Sequence, residues 1–134
     1  MQWWSTSMKW FYALGVVVAS FSITMWAMNF FSPLCPQGDV TVLTKPFEKA
    51  GAVSWFATAP SLAEISDTSS APARSNAVVC EDGLVMGPAH SVHADIAAKG
   101  GGRFSHWNTG FVFSASDNSD PNKNGRTYSA VRPR

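Results

Sequence analysis

Charge is what the N-terminal part of this sequence lacks. Of the 19 charged residues in 134, Lys9 alone falls within the first 38, yet nine of the 17 aromatic residues fall within the first 31. The remaining 96 residues carry nine charges of each sign, so that part is electrically balanced. A net charge of +1 with no basic cluster excludes a nucleic-acid footprint, because phosphate-backbone affinity needs several Lys or Arg on one face. No histidine precedes His90, which excludes haem or chlorophyll held through imidazole in the apolar N-terminal run. Cysteine is nearly absent, with only Cys35 and Cys80. There is no G-x-S-x-G nucleophile elbow and no phosphate-type glycine loop. Gly100-Gly101-Gly102 follows the helix it adjoins, whereas a phosphate cradle would precede it, so it is a stop signal.

What is present in place of charge is a long apolar run. Trp10 to Phe31 spans 22 uncharged residues, 17 of them apolar, and as a helix it reaches ~33 Å, enough to cross a hydrocarbon core. Pro33 and Pro36 end it near Phe31 or Ser32. Trp3, Trp4, Trp10 and Tyr12 stand at one end and Trp26, Phe30 and Phe31 at the other, the depths at which aromatic rings anchor. Lys9 before the run and Asp39 after it place the N-terminus in the cytoplasm. The alternative is a cleaved signal peptide, against which stand the length of the run and its bulky end at Met25, Trp26, Met28, Phe30 and Phe31. The expected organisation is a cytoplasmic N-terminus (1–9), a transmembrane helix (10–32), a membrane-proximal segment (33–59), a linker (60–76) and a small β-rich domain (77–134) outside the inner membrane, in the periplasm. Gly15, Ala19, Ser22, Trp26 and Asn29 recur at spacings of 4, 3, 4 and 3 and form one stripe against which another helix can pack, unless they are only the small residues common to any membrane helix.

Export of both cysteines into an oxidising space predicts a Cys35–Cys80 disulfide, with two unrelated buried thiols as the alternative. Beyond the run, Asp39 to Leu43 and Ala52 to Ala57 read as strands, and the Ser-, Ala- and Pro-rich residues 60–76 as a surface linker. Ala77 to Cys80 and Leu84 to Met86 flank Asp82-Gly83, a hairpin signal. Ser91 is placed to cap a helix from Val92 to Lys99, with Gly100 as its stop. Arg103 to Trp107 and Gly110 to Ser114 form a second hairpin turning at Asn108-Thr109, and Thr127 to Val131 the last strand. The fold class is therefore one N-terminal transmembrane helix followed by a small, mainly β (α+β) domain.

The loop Ser114 to Arg126 is the most polar stretch. Asp120, Asn122 and Asn124 alternate ahead of Gly125, as in the opening of a calcium loop, with Asp117 as a further oxygen donor. Counting Asp120 as the first position, the twelfth is Val131, which excludes an EF-hand. Three readings stay open: side chains capping their own backbone, a calcium site, or a polar-ligand site. His90, His93, His106 and Asp95 suggest a zinc or copper cluster, against satisfied structural or surface histidines; no metal ligand is assigned.

Gly102 to Trp107 (GRFSHW), Phe111 to Tyr128 (FVFSASDNSDPNKNGRTY) and Glu81 to His90 (EDGLVMGPAH) resemble C-terminal segments of bacterial multipass membrane proteins tied to envelope polysaccharide assembly. The resemblance spans residues 77–131 and implies an exported β module beside a membrane whose polar loop meets sugars. The chain departs from those proteins in having one span and no catalytic membrane domain, so no catalytic residue is carried over. The expectation is a non-catalytic, single-span accessory subunit without a cofactor, partnered by membrane lipid and other transmembrane subunits. The alternative is a tethered carbohydrate- or calcium-binding module.

Overall fold

The computed structural model describes residues 32–134, so the apolar run and its stripe (Gly15, Ala19, Ser22, Trp26, Asn29) lie outside the described residues. No helix among the described residues is long and apolar enough to cross a membrane. Their strands are β1 (Gly38–Leu43), β2 (Glu48–Lys49), β3 (Trp55–Thr58), β4 (Val78–Glu81), β5 (Leu84–Val85), β6 (Phe104–Trp107), β7 (Gly110–Phe113) and β8 (Tyr128–Pro133). A 3-10 turn covers Pro60–Ile65, and one short helix, α1, covers His93–Lys99. The strands form two four-stranded antiparallel sheets, ordered β1-β8-β4-β5 and β2-β3-β7-β6.

Alternation along each strand decides what is buried, because successive side chains point to opposite faces. In the first sheet Leu43 and Glu81 both lie opposite Tyr128, and Thr41 and Val79 both lie opposite Ala130. In the second, Trp55 and Phe104 flank Phe113, while Ala57 and His106 flank Phe111. These residues supply most of the core, and Phe47 joins the two halves by meeting Phe113 and Tyr128 edge-on at 5.2 and 5.7 Å. Gly110 is required where β3 meets β7, since a Cβ there would lie 2.1 Å from the Ala57 carbonyl oxygen. The other face of the second sheet carries Ser105, Trp107 and Val112, with α1 packed alongside.

Both hairpins form at the expected turns, with Asp82 and Asn108 at positive φ. The disulfide between Cys35 and Cys80 is present, 45 residues apart in sequence. It holds residues 33–35 beside β5, where Leu34 bridges Leu84 and Cys35 N–H donates to the Gly83 carbonyl at 2.8 Å.

Three local details differ from the sequence reading. The helix begins at His93 with Val92 as an N-cap that makes no side-chain bond, because the Ser91 hydroxyl instead donates to the Pro88 carbonyl at 2.8 Å. The two-residue strand β2 was not expected; its pairing with β3 is all that defines it. Residues 60–76 contain the 3-10 turn and buried Leu62, Ser66, Asp67 and Ser75, and Pro33–Arg134 forms one compact unit through them. A few apolar anchors and the backbone bond from Asp67 to His106 on β6 are enough to fix a stretch whose composition reads as a linker.

Candidate functional site

The free edge of β6 is where this fold brings chemistry together. One side of the strand pairs with β7, and the other is covered by two loops, as an unpaired edge requires. The β5–α1 loop accepts Phe104 N–H at the Pro88 carbonyl at 3.2 Å and donates Ser91 N–H to the Phe104 carbonyl at 3.1 Å. Further along, Asp67 N–H donates to the His106 carbonyl at 2.9 Å, and Asp67 bridges Trp107 in parallel register. Asp67 and His90 are thereby carried to adjacent places on one strand.

Their side chains meet. His90 Nδ1 lies 2.7 Å from Asp67 Oδ2, and Asp67 Oδ1 accepts Ser75 N–H at 2.8 Å. The Asp67 side chain is 2% exposed and that of His90 31%, so a buried carboxylate orients a ring that is itself partly open to solvent. His90 is held at φ +53°, a conformation uncommon for any residue with a Cβ and one that clusters at binding and catalytic sites. Beside the pair opens a cavity of about 420 Å³, within the usual range for small-molecule sites. Asp67 and Pro72, His90 to His93, and Ser105 with Trp107 line it. The His93 ring stands edge-on to Trp107 at 5.9 Å.

The four residues considered as a metal cluster are not brought to one point. His90 and His93 share the cavity wall, but Asp95 pairs with Lys99 at 3.1 Å on the exposed side of α1. His106 is buried on the opposite face of β6, stacked on Phe111 at 4.2 Å, with Nδ1 2.6 Å from the Ser75 hydroxyl. Its Nε2 has no hydrogen-bond partner among the described residues, and burial pushes the ring's pKa below the ordinary imidazole value, against the opposing pull of Asp67. No group of three or more His, Cys, Asp or Glu is arranged to hold a metal ion among the described residues.

The polar loop turns its oxygens onto its own chain. Asp117 forms a two-pronged pair with Arg126, at 2.9 and 2.6 Å, and accepts Ser119 N–H and O–H. The Arg126 guanidinium foremost, and then Ser119, hold the Asp117 carboxyl well below the usual carboxylate range. Asp120 accepts Asn122 N–H at 2.9 Å in an Asx turn. Asn122 grips Phe47, accepting its N–H at 2.7 Å and donating to its carbonyl at 3.0 Å. Asn124 donates to Ser119 and to the Tyr128 hydroxyl and accepts Arg126 N–H. Beneath the loop, Glu81 accepts the Tyr128 hydroxyl at 2.8 Å, Arg126 at 3.2 Å and the Ser116 hydroxyl. Burial above all raises the Tyr128 pKa.

Sequence reasoning missed Asp67, Ser75 and Trp107 as site residues. Asp67 is the only aspartate in residues 60–76, and nothing local to it points to His90, 23 positions on. Gly87-Pro88 just ahead of His90 was the available sign of a tight turn. No family model matches the chain, and no curated protein or solved structure is detectably similar to it. The fold and this site therefore define the class: a small, disulfide-closed, two-sheet β domain with an aromatic-walled cavity beside a buried carboxylate–histidine pair.

Proposed function

We propose that the chain is a single-span, membrane-tethered binding module of the bacterial envelope, and that the cavity beside His90 is its ligand site. One observation carries the reading: a buried carboxylate fixes a histidine of unusual backbone conformation at the edge of a cavity large enough for a small molecule. The disulfide supports an oxidising compartment, and the uncharged run from Trp10 to Phe31 supports the tether. The module binds its ligand without transforming it. The Ser91 hydroxyl is turned to the Pro88 carbonyl and Ser75 to His106, so neither serine is paired with His90 as a nucleophile would be. The hydrogen bonds of the polar loop favour a framework role for Asp117, Asp120, Asn122 and Asn124 over a calcium site.

The test is calorimetry on the full chain in lipid nanodiscs with neutral, cationic and anionic small polar compounds, paired with NMR of the histidine rings. Binding of at least one compound with perturbation of the His90 signals is expected. Absence of binding by every compound sinks the reading.

A second reading, an accessory subunit docked on a larger membrane assembly, is favoured by β1. Val40 and Val42 are 62% and 67% exposed on the face of the first sheet opposite the core, and Leu34 is exposed at the other edge. Purification of the tagged chain in mild detergent tests it. A stoichiometric membrane partner supports the docked subunit, and a lone chain removes it.

A further inference from the structure

The charge and hydrogen-bonding pattern of the cavity selects its ligand. We infer that the site takes a neutral, hydroxyl-bearing ring of the sugar class, stacked on Trp107 and donating a hydroxyl proton to Nε2 of His90. This rests on the binding-module reading and narrows it.

Three features of the lining lead there. First, Asp67 Oδ2 is an acceptor only, so in the neutral ring the proton sits on Nδ1 of His90 and Nε2 is left as a bare acceptor. Among the described residues the ring makes no hydrogen bond besides the one to Asp67, and its side chain is 31% exposed. A ligand must therefore bring a donor, which a hydroxyl does and an ionised carboxylate oxygen does not. Second, the lining contains no Lys or Arg, and its one carboxylate already has both oxygens engaged, by Ser75 and His90. An anion entering this cavity would lose its hydration with no countercharge to meet it. Third, Trp107 provides an apolar wall whose indole is set by the edge-on contact with His93, while the hydroxyl-bearing Ser91 and Ser105 stand in the same lining. A flat aromatic wall facing groups that donate and accept suits a ring with one face of C–H bonds and a rim of hydroxyls.

The experiment compares glucose, galactose and N-acetylglucosamine with glucuronic acid and inorganic phosphate, using the full chain in nanodiscs. Affinity is read by calorimetry and the bound face by saturation-transfer NMR. At least one neutral sugar binds while the two anions do not, and its ring C–H protons receive the saturation. Trp107→Ala weakens that sugar at least about tenfold and Trp107→Phe restores part of the loss. His90→Asn, an exchange that tolerates positive φ and still offers Asp67 a donor, weakens it about tenfold, the scale of one lost hydrogen bond that leaves the ligand hydroxyl unpaired. Imidazole nitrogen NMR shows Nε2 of His90 moving toward a hydrogen-bonded shift when sugar is added. Binding of glucuronic acid or phosphate in preference to the neutral sugars, with His90 perturbed, overturns the ligand class and leaves the binding module standing. Binding of neutral sugar that is indifferent to Trp107 and His90, in variants whose melting temperature is unchanged, removes both. No binding by any of the five overturns the sugar inference.

Discussion

The two histidines of this domain that touch Asp67 and Ser75 differ in their surroundings. His90 sits at the cavity with a carboxylate partner, whereas His106 lies within the core with Nε2 unpaired. A buried ring without a partner for its second nitrogen resists protonation, so its pKa is lowered in the folded state. The unfolded chain takes up that proton near pH ~6.5 and the folded chain does not, so stability is fully present above that value. It declines as the pH falls below it, toward the lower folded pKa. Thermal unfolding from pH 7.5 to 5 should therefore show a falling melting temperature, and His106→Gln, which cannot titrate, should flatten that part of the profile. Equal slopes in the two proteins would show that His106 is not the group responsible.

At the scale of elements, the loop between β7 and β8 acts as a clasp, because Asn122 bonds both backbone groups of Phe47, 75 residues away. Phe47 is the ring that meets Phe113 and Tyr128, so this clasp seats the core. Asn122→Ala should cost about 2 kcal/mol, leaving a partly buried N–H and carbonyl without partners, and should cost the same with calcium or with a chelator. Denaturant unfolding under both conditions checks this; a loss seen only when calcium is present would return the loop to the cation reading. How far such elements can be read from sequence follows from how local their cause is. Asp82-Gly83 and Asn108-Thr109 carry their turns in two residues, and β1 gathers Val40, Val42 and Leu43 in one short run, so both hairpins and that strand were legible, though not that Val40 and Val42 face outward. The strand β2 has no signal besides its partner, and Ser91 looks like a helix cap until the Pro88 carbonyl competes for its hydroxyl. Asp67 was hidden for the same reason. Its role is created by two loops converging on the edge of β6, and Ser, Ala and Pro composition around it carries no trace of that convergence.

For the molecule as a whole, the Cys35–Cys80 bond links the start of the described domain to the middle of its first sheet. Cys80 is fully buried on β4, and Cys35 lies only two residues after Pro33, where the compact unit begins. Closing a loop of 45 residues is worth about 4 kcal/mol on the chain-entropy account, a large share of the stability of a domain this size. Denaturant unfolding of the Cys35→Ser/Cys80→Ser chain should show a loss of that order. The bond also reports on compartment, because a cytosolic pool would keep both thiols reduced. Alkylation of intact cells with a membrane-permeant maleimide before lysis should leave both cysteines unmodified, and both should become reactive after reduction of the denatured protein. Two thiols already alkylated in the living cell would place the domain on the reducing side of the membrane. The proposed envelope module would then lose its compartment, while the ligand proposed for the cavity would still be open to test in the isolated chain.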